Sequence, residues 1–227
     1  ASRLALPLVL FVAAGALCAL PWLKARDPLL HAAAILFALS TLAKGPVGVG
    51  VCGLTLLATI AILGEWERLR RPAALSCTVL FLAITAPWTL VMLAFPGLDD
   101  QRKTWFQRFV LYDLLGRVGP GAHGDRGTFD YYVKYAGFGM FPWSGLVPAA
   151  LWASADARTF THPGGRTKAD RFTLLVALWA IVTFAFFTAT MTTFYHYSFP
   201  LGVPCSLLIG RYLDCLVSDP KKRVAPA

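Results

Sequence analysis

Residues Thr41 to Gly50 read TLAKGPVGVG, a lysine followed by Gly-Pro in the middle of a long apolar run. Apolar residues continue for more than a dozen positions on either side, and hydrocarbon tolerates a lysine side chain less readily than most. Gly45 is suited to end a helix in the left-handed conformation, and Pro46 is suited to open the next helix at its first position. The stretch therefore predicts two apolar helices joined by a tight return, with Lys44 at the joint.

The rest of the chain has the same character. It is 57% hydrophobic, with a mean hydropathy of +0.60 and 15% charged residues, against roughly 25% charged in soluble domains. Apolar stretches near the roughly 20 residues needed to cross a bilayer recur along it. Spans are expected at about Leu4–Leu23, Leu29–Leu42, Val47–Leu63, Ala73–Phe95, Tyr135–Ala153, Phe172–Met191 and Tyr197–Leu216. The fold class is all-α: a polytopic transmembrane helical bundle of about seven segments, forming one transmembrane domain over 1–227. The chain opens at Ala1 without methionine, as expected of a piece of a longer protein.

The net charge of +9 does not point to nucleic acid, because the cations lie between spans. Lys24 and Arg26, then Arg68, Arg70 and Arg71, then Arg158, Arg166, Lys168 and Arg171, and finally Arg211, Lys221, Lys222 and Arg223 all fall on one side of seven successive crossings. The positive-inside rule makes that side cytoplasmic. The AKGP junction, the loop 96–134 and the turn TTFYHY at Thr192–Tyr197 then face outward. The five cysteines sit in or beside apolar segments and lack the spacing of a disulfide or zinc framework.

Short helices flanking Lys44, about 21 and 25 Å long, leave the joint recessed below the outer surface. Free N–H groups at a helix start together with an ammonium group suit an anion, most naturally a phosphate; snorkelling of Lys44 to lipid headgroups is the structural alternative. In the outward loop, Trp105, Phe106, Phe109 and Val110 recur at helical spacing opposite Arg102, Lys103, Gln107 and Arg108. That pattern predicts an interfacial helix contacting membrane lipids. The glycine-rich remainder carries Arg117, His123, Asp125, Arg126 and Asp130, a composition that suits either a ligand-gripping loop or a flexible connection. Two outward histidines, His123 and His196, and the nearby aspartates permit a divalent metal without specifying one; no cofactor is assigned.

Several stretches together resemble the membrane glycosyltransferases that use a polyprenyl-phosphate sugar, the group of protein O-mannosyltransferases and aminoarabinose transferases of lipid A. The carriers are LAKGP at Leu42–Pro46, TAPWTLVM at Thr85–Met92, TFDYYVKYAGFGMFPW at Thr128–Trp143 and MTTFYHYSFPLGVP at Met191–Pro204. The resemblance implies that Lys44, Arg117 and Arg126 contact the polyprenyl phosphate, with Tyr131, Tyr132 and His196 near the donor or the lipid entrance. It also implies a lipid, glycan or protein acceptor and a site facing the periplasm of a bacterial inner membrane. The family's catalytic carboxylate lies in a first outer loop, expected upstream of this chain, so no catalytic residue is assigned. Thr193 stands where relatives often carry lysine. A rival reading is a transporter or lipid-binding module with an anion site at a broken helix.

Overall fold

The computed structural model describes residues 28–116, 129–155, 167–190 and 194–218. These residues form helices α1 (Pro28–Lys44), α2 (Val47–Leu63), α3 (Pro72–Ala94), α4 (Phe129–Gly139), α5 (Val147–Ser154), α6 (Lys168–Ala189) and α7 (Phe199–Ser218). A π-type helix over Phe106–Leu115 and short 3₁₀ turns at Trp66–Arg70, Trp143–Leu146 and Tyr195–Ser198 complete them. No strand occurs among the described residues, and the chain is an all-helical, polytopic membrane protein. Three helical stretches, Pro72–Ala94, Lys168–Ala189 and Tyr195–Ser218, are each long and apolar enough to cross a membrane.

The chain divides into two compact units, one of Ala1–Gly50 with Gly64–Leu111, the other of Val51–Leu63 with Tyr112–Ala227. In the first, α1 packs against α3 with Ala34 and Leu80 buried and Ile35, Cys77 and Ile84 against them. Beside this seam His31, 1% exposed, bonds through Nε2 to Ser76 Oγ at 2.9 Å. Ser76 spends its own proton on the Ala73 carbonyl, so it accepts from His31.

In the second unit α7 packs on α6, α5 and α4. Its core joins Ala150 of α5, Val176, Ala177 and Ala180 of α6, and Leu201, Cys205, Leu208 and Ile209 of α7. Small residues on α6 let the backbones approach, which is how membrane helices gain packing where lipid removes the hydrophobic incentive. Thr167 caps α6 through a reciprocal box with Asp170, satisfying N–H groups that hydrocarbon could not.

The helix boundaries depart from expectation in two places. α1 continues through Lys44, so the lysine is the last residue of a helix and Gly45 is the first of the joint. The expected continuous span Tyr135–Ala153 is broken, with α4 ending at Gly139 and α5 beginning at Val147. At 11 and 8 residues the pieces are about 17 and 12 Å long, too short to cross. Pro142 supplies no N–H and disfavours helix at Phe141 before it, while Gly137 and Gly139 weaken the turn that leads in. The expected first span, Leu4–Leu23, lies outside the described residues.

Candidate functional site

The Lys44 joint follows from backbone chemistry. Gly45 takes φ +83°, a region costly for any residue with a Cβ, and its N–H still bonds the Thr41 carbonyl at 2.8 Å. Pro46 stands immediately before α2, and its carbonyl accepts the first bond of that helix, from Gly50 N–H at 2.8 Å. The amino terminus of α2 thus begins three residues after Lys44. Close by, a Cβ on Gly48 would come within 2.8 Å of Ser40 Oγ, so a glycine here lets the two helices pass close together.

In the second unit an aromatic cluster gathers three of the residues singled out in the sequence. α4 presents Tyr131, Tyr132 and Tyr135, with ring centroids 5.2 Å apart for the first two and 4.7 Å for Tyr131 and Tyr135. Tyr135 reaches Tyr195 at 6.2 Å, and Tyr132 reaches Phe187 of α6 at 6.4 Å. Phe187 stacks on Tyr197 at 5.0 Å, and Tyr197 meets the His196 ring edge to face at 4.8 Å. His196 also stacks on Phe194 at 5.3 Å. Val51 of α2 closes the buried side of this cluster.

Exposure sorts these residues by what they can do. Tyr131 and His196 are half-buried and can meet a ligand at the rim. Tyr132 is 2% exposed, so its ring supports the cluster from beneath. Burial pushes its phenol up to about 12, with the Phe194 backbone N–H opposing the shift. Asp130 is paired to Lys134 one turn on, at 2.5 Å, and raises the lysine above its ordinary value.

Arg117, His123, Asp125 and Arg126 lie outside the described residues. Among the described residues no group of three or more potential metal ligands occurs. Trp105, just before the π-type helix, stacks on its Phe109 at 4.9 Å, and Phe106, Leu111 and Leu115 of that helix are exposed. Phe187 and Thr183 had no separate signal in the sequence, since an aromatic or threonine within a span is ordinary; only the density of rings in the outward turn ending at Tyr197 pointed to their neighbourhood.

No protein-family model matches the chain. An undecaprenyl phosphate-alpha-4-amino-4-deoxy-L-arabinose arabinosyl transferase of Yersinia pestis is 26% identical over 145 residues, 63% of this chain and 23% of that protein. The transferase of the same name from an Enterobacter species is 24% identical over 185 residues, 81% of this chain and 30% of that protein. The crystal structure of ArnT from Cupriavidus metallidurans bound to undecaprenyl phosphate superposes with a TM-score of 0.66 and 25% identity, covering 90% of this chain and 32% of ArnT. The chain is similar to the aminoarabinose transferases in both sequence and fold. The resemblance drawn from LAKGP, TAPWTLVM, TFDYYVKYAGFGMFPW and MTTFYHYSFPLGVP is borne out, and the matched region spans between about a quarter and a third of those proteins' length.

Proposed function

We propose that this chain is part of a membrane glycosyltransferase that moves a sugar from a polyprenyl phosphate to a lipid, glycan or protein acceptor, and that it forms the donor-phosphate side of the site. The observation that carries the reading is the shared fold with a transferase crystallised with undecaprenyl phosphate, over 90% of this chain. Lys44 stands at the end of α1 and three residues before the start of α2, where an anion gains from both the ammonium group and free N–H groups. Arg117 and Arg126 supply the further positive charge, and Tyr131 and His196 line the sugar or lipid entrance over a base built on Tyr132. The whole region acts as one transmembrane domain in a bacterial inner membrane, with loop 96–134 and its interfacial helix on the periplasmic face.

Departure of a sugar from a polyprenyl phosphate leaves negative charge on the phosphate as the glycosidic bond breaks. Fixed cations stabilise that charge more in the transition state than in the bound donor, which lowers the barrier. A carboxylate elsewhere in the complete enzyme takes the acceptor's proton.

The test is binding of an undecaprenyl phosphate to the full-length protein and its Lys44→Ala variant. One charge-assisted hydrogen bond is worth roughly 1.5–3 kcal/mol, so affinity falls about 10- to 100-fold. Lys44→Arg, which keeps the charge, recovers part of it. Equal affinity for Lys44→Ala and the parent protein overturns the assignment.

A further inference from the structure

α4 and α5 are each too short to cross a membrane, yet they follow one line through the second unit. α6 and α7 lie antiparallel: Asp170, near the start of α6, meets Arg211 in the last half of α7 at 3.9 Å, and Tyr197 stacks on Phe187 at their other ends. α4 starts at that turn end, where Tyr132 reaches Phe187 and Tyr135 reaches Tyr195. Its Ala136 and Met140 pack on the core formed by α6 and α7, and Leu146, Val147 and Leu151 continue along the same core, with Ala150 buried in it. α4 packs against the Tyr195–Ser198 turn, whereas α5 packs against α7 and α6. End to end the pieces, of 11 and 8 residues, reach about 29 Å, close to the roughly 30 Å of a bilayer core.

The join between them is chemically fit for hydrocarbon. Residues 135–155 carry no charged side chain. A break in a helix is tolerated at membrane depth only where its backbone polar groups are satisfied by protein. The N–H groups of Met140, Phe141 and Ser144 bond the carbonyls of Ala136, Phe138 and Met140 at 3.0 to 3.3 Å, that of Val147 bonds the Ser144 carbonyl, and Pro142 has none to satisfy. These donors ask nothing of water. Around them Phe138, Phe141 and Trp143 are 81%, 78% and 57% exposed, a group of large apolar side chains standing off the core. In water such a group would be a liability; against lipid tails, which are as apolar as leucine, it costs nothing.

We propose that α4, the break and α5 together make one discontinuous crossing of the membrane, and that Phe138, Phe141 and Trp143 are the surface it presents to the hydrocarbon chains of the bilayer at mid-depth. Val133 and Trp152, also exposed, then lie near the two boundaries.

The experiment uses the full-length protein with its native cysteines replaced, carrying Val133→Cys, Phe138→Cys, Phe141→Cys or Trp152→Cys one at a time. In phosphatidylcholine vesicles, a nitroxide spin label at 138 or 141 is expected to collide freely with oxygen, which concentrates in hydrocarbon, and hardly at all with a water-soluble nickel chelate. In right-side-out and inverted membrane vesicles, the thiols at 133 and 152 are expected to react with an impermeant maleimide from opposite faces. Exclusion of both oxygen and chelate at 138 and 141 overturns the proposal, because another part of the protein would then cover this surface. Free access of the chelate overturns it too, since the break would be in water. Reaction of 133 and 152 from one face would make the element re-entrant. Loss of oxygen contact at 141 on adding undecaprenyl phosphate would make a prenyl chain, and not the bilayer, the occupant.

A second measurement keeps the cysteines in place. Phe141→Leu is expected to leave Tm in the same lipid unchanged, and Phe141→Lys to lower it by several degrees, because the charge would enter hydrocarbon. Equal Tm values for the two variants overturn the proposal.

Discussion

Two of the turns between apolar helices are closed by contrasting means. Between α1 and α2 the return is made of backbone: a glycine at φ +83°, a proline, and a glycine at position 48 where a Cβ would strike Ser40. Between α6 and α7 it is bordered by rings: Phe187 on Tyr197, Tyr197 against His196, His196 on Phe194. The first turn depends on atoms that are absent and the second on atoms that are present. The α1–α2 joint should therefore fail when side-chain atoms are added, and the α6–α7 turn when they are removed.

The largest effect is expected at Phe187, 6% exposed and in ring contact with Tyr132, Phe186 and Tyr197. Phe187→Ala deletes the ring that α4 and the turn share. In a membrane the transfer from water contributes little, but the cavity and the lost dispersion contacts remain. A loss of about 3 kcal/mol is expected, at the low end of the range for buried aromatics, in unfolding of the full-length protein in mixed detergent. Phe187→Tyr, which adds an atom and removes none, is expected to cost less. Were the tyrosine the worse of the two, the ring-built description of this turn would be wrong.

Gly45 supplies the reciprocal experiment. Gly45→Val puts a branched side chain at a positive φ and is expected to cost about 2 kcal/mol, from the 1–2 kcal/mol penalty of the left-handed region and the extra crowding of a β-branched residue. Gly45→Asn, which visits that region more readily, is expected to recover most of the loss in the same unfolding assay. Equal tolerance of valine and asparagine would mean that the conformation at Gly45 is not what closes the joint.

These contrasts also explain what could be read in advance. The Lys44 joint was legible because Gly and Pro carry their conformational meaning in their own covalent structure, so LAKGP predicts both the stop and the restart. The spans α3, α6 and α7 were legible because predominantly apolar runs of sufficient length have few other uses. The break between α4 and α5 was not: residues 135–153 carry no charged side chain, and hydropathy averages over Pro142 where local geometry does not. The aromatic cluster was half legible, since TTFYHY and FDYYVKY announce their rings but not that Phe187 lies between them.

A third connection separates these two mechanisms from a titratable one and gives the smallest effect. After α3 the chain turns through Asp99–Thr104, with Leu98 and Thr104 paired as a single antiparallel bridge. Asp99 Oδ1 accepts the backbone N–H groups of Gln101 at 2.9 Å and Lys103 at 2.8 Å. Those bonds favour the ionised form, and the Lys103 N–H foremost holds the Asp99 carboxyl below the ordinary carboxylate range. A folded-state value below the unfolded one means that the contribution is fully present above the unfolded value, near 3.8. It is lost as pH falls through the lower folded value. Amide resonances of Gln101 and Lys103 are therefore expected to hold steady from neutral pH down to about 4 and to move toward unbonded positions below that. Asp99→Asn keeps the acceptor oxygen and removes the titration, so its amide positions should be flat over the same range. A midpoint above the ordinary carboxylate value would reverse the sign, and would mean that desolvation rather than these two N–H groups governs Asp99, leaving the turn closed by its backbone alone like the joint at Gly45.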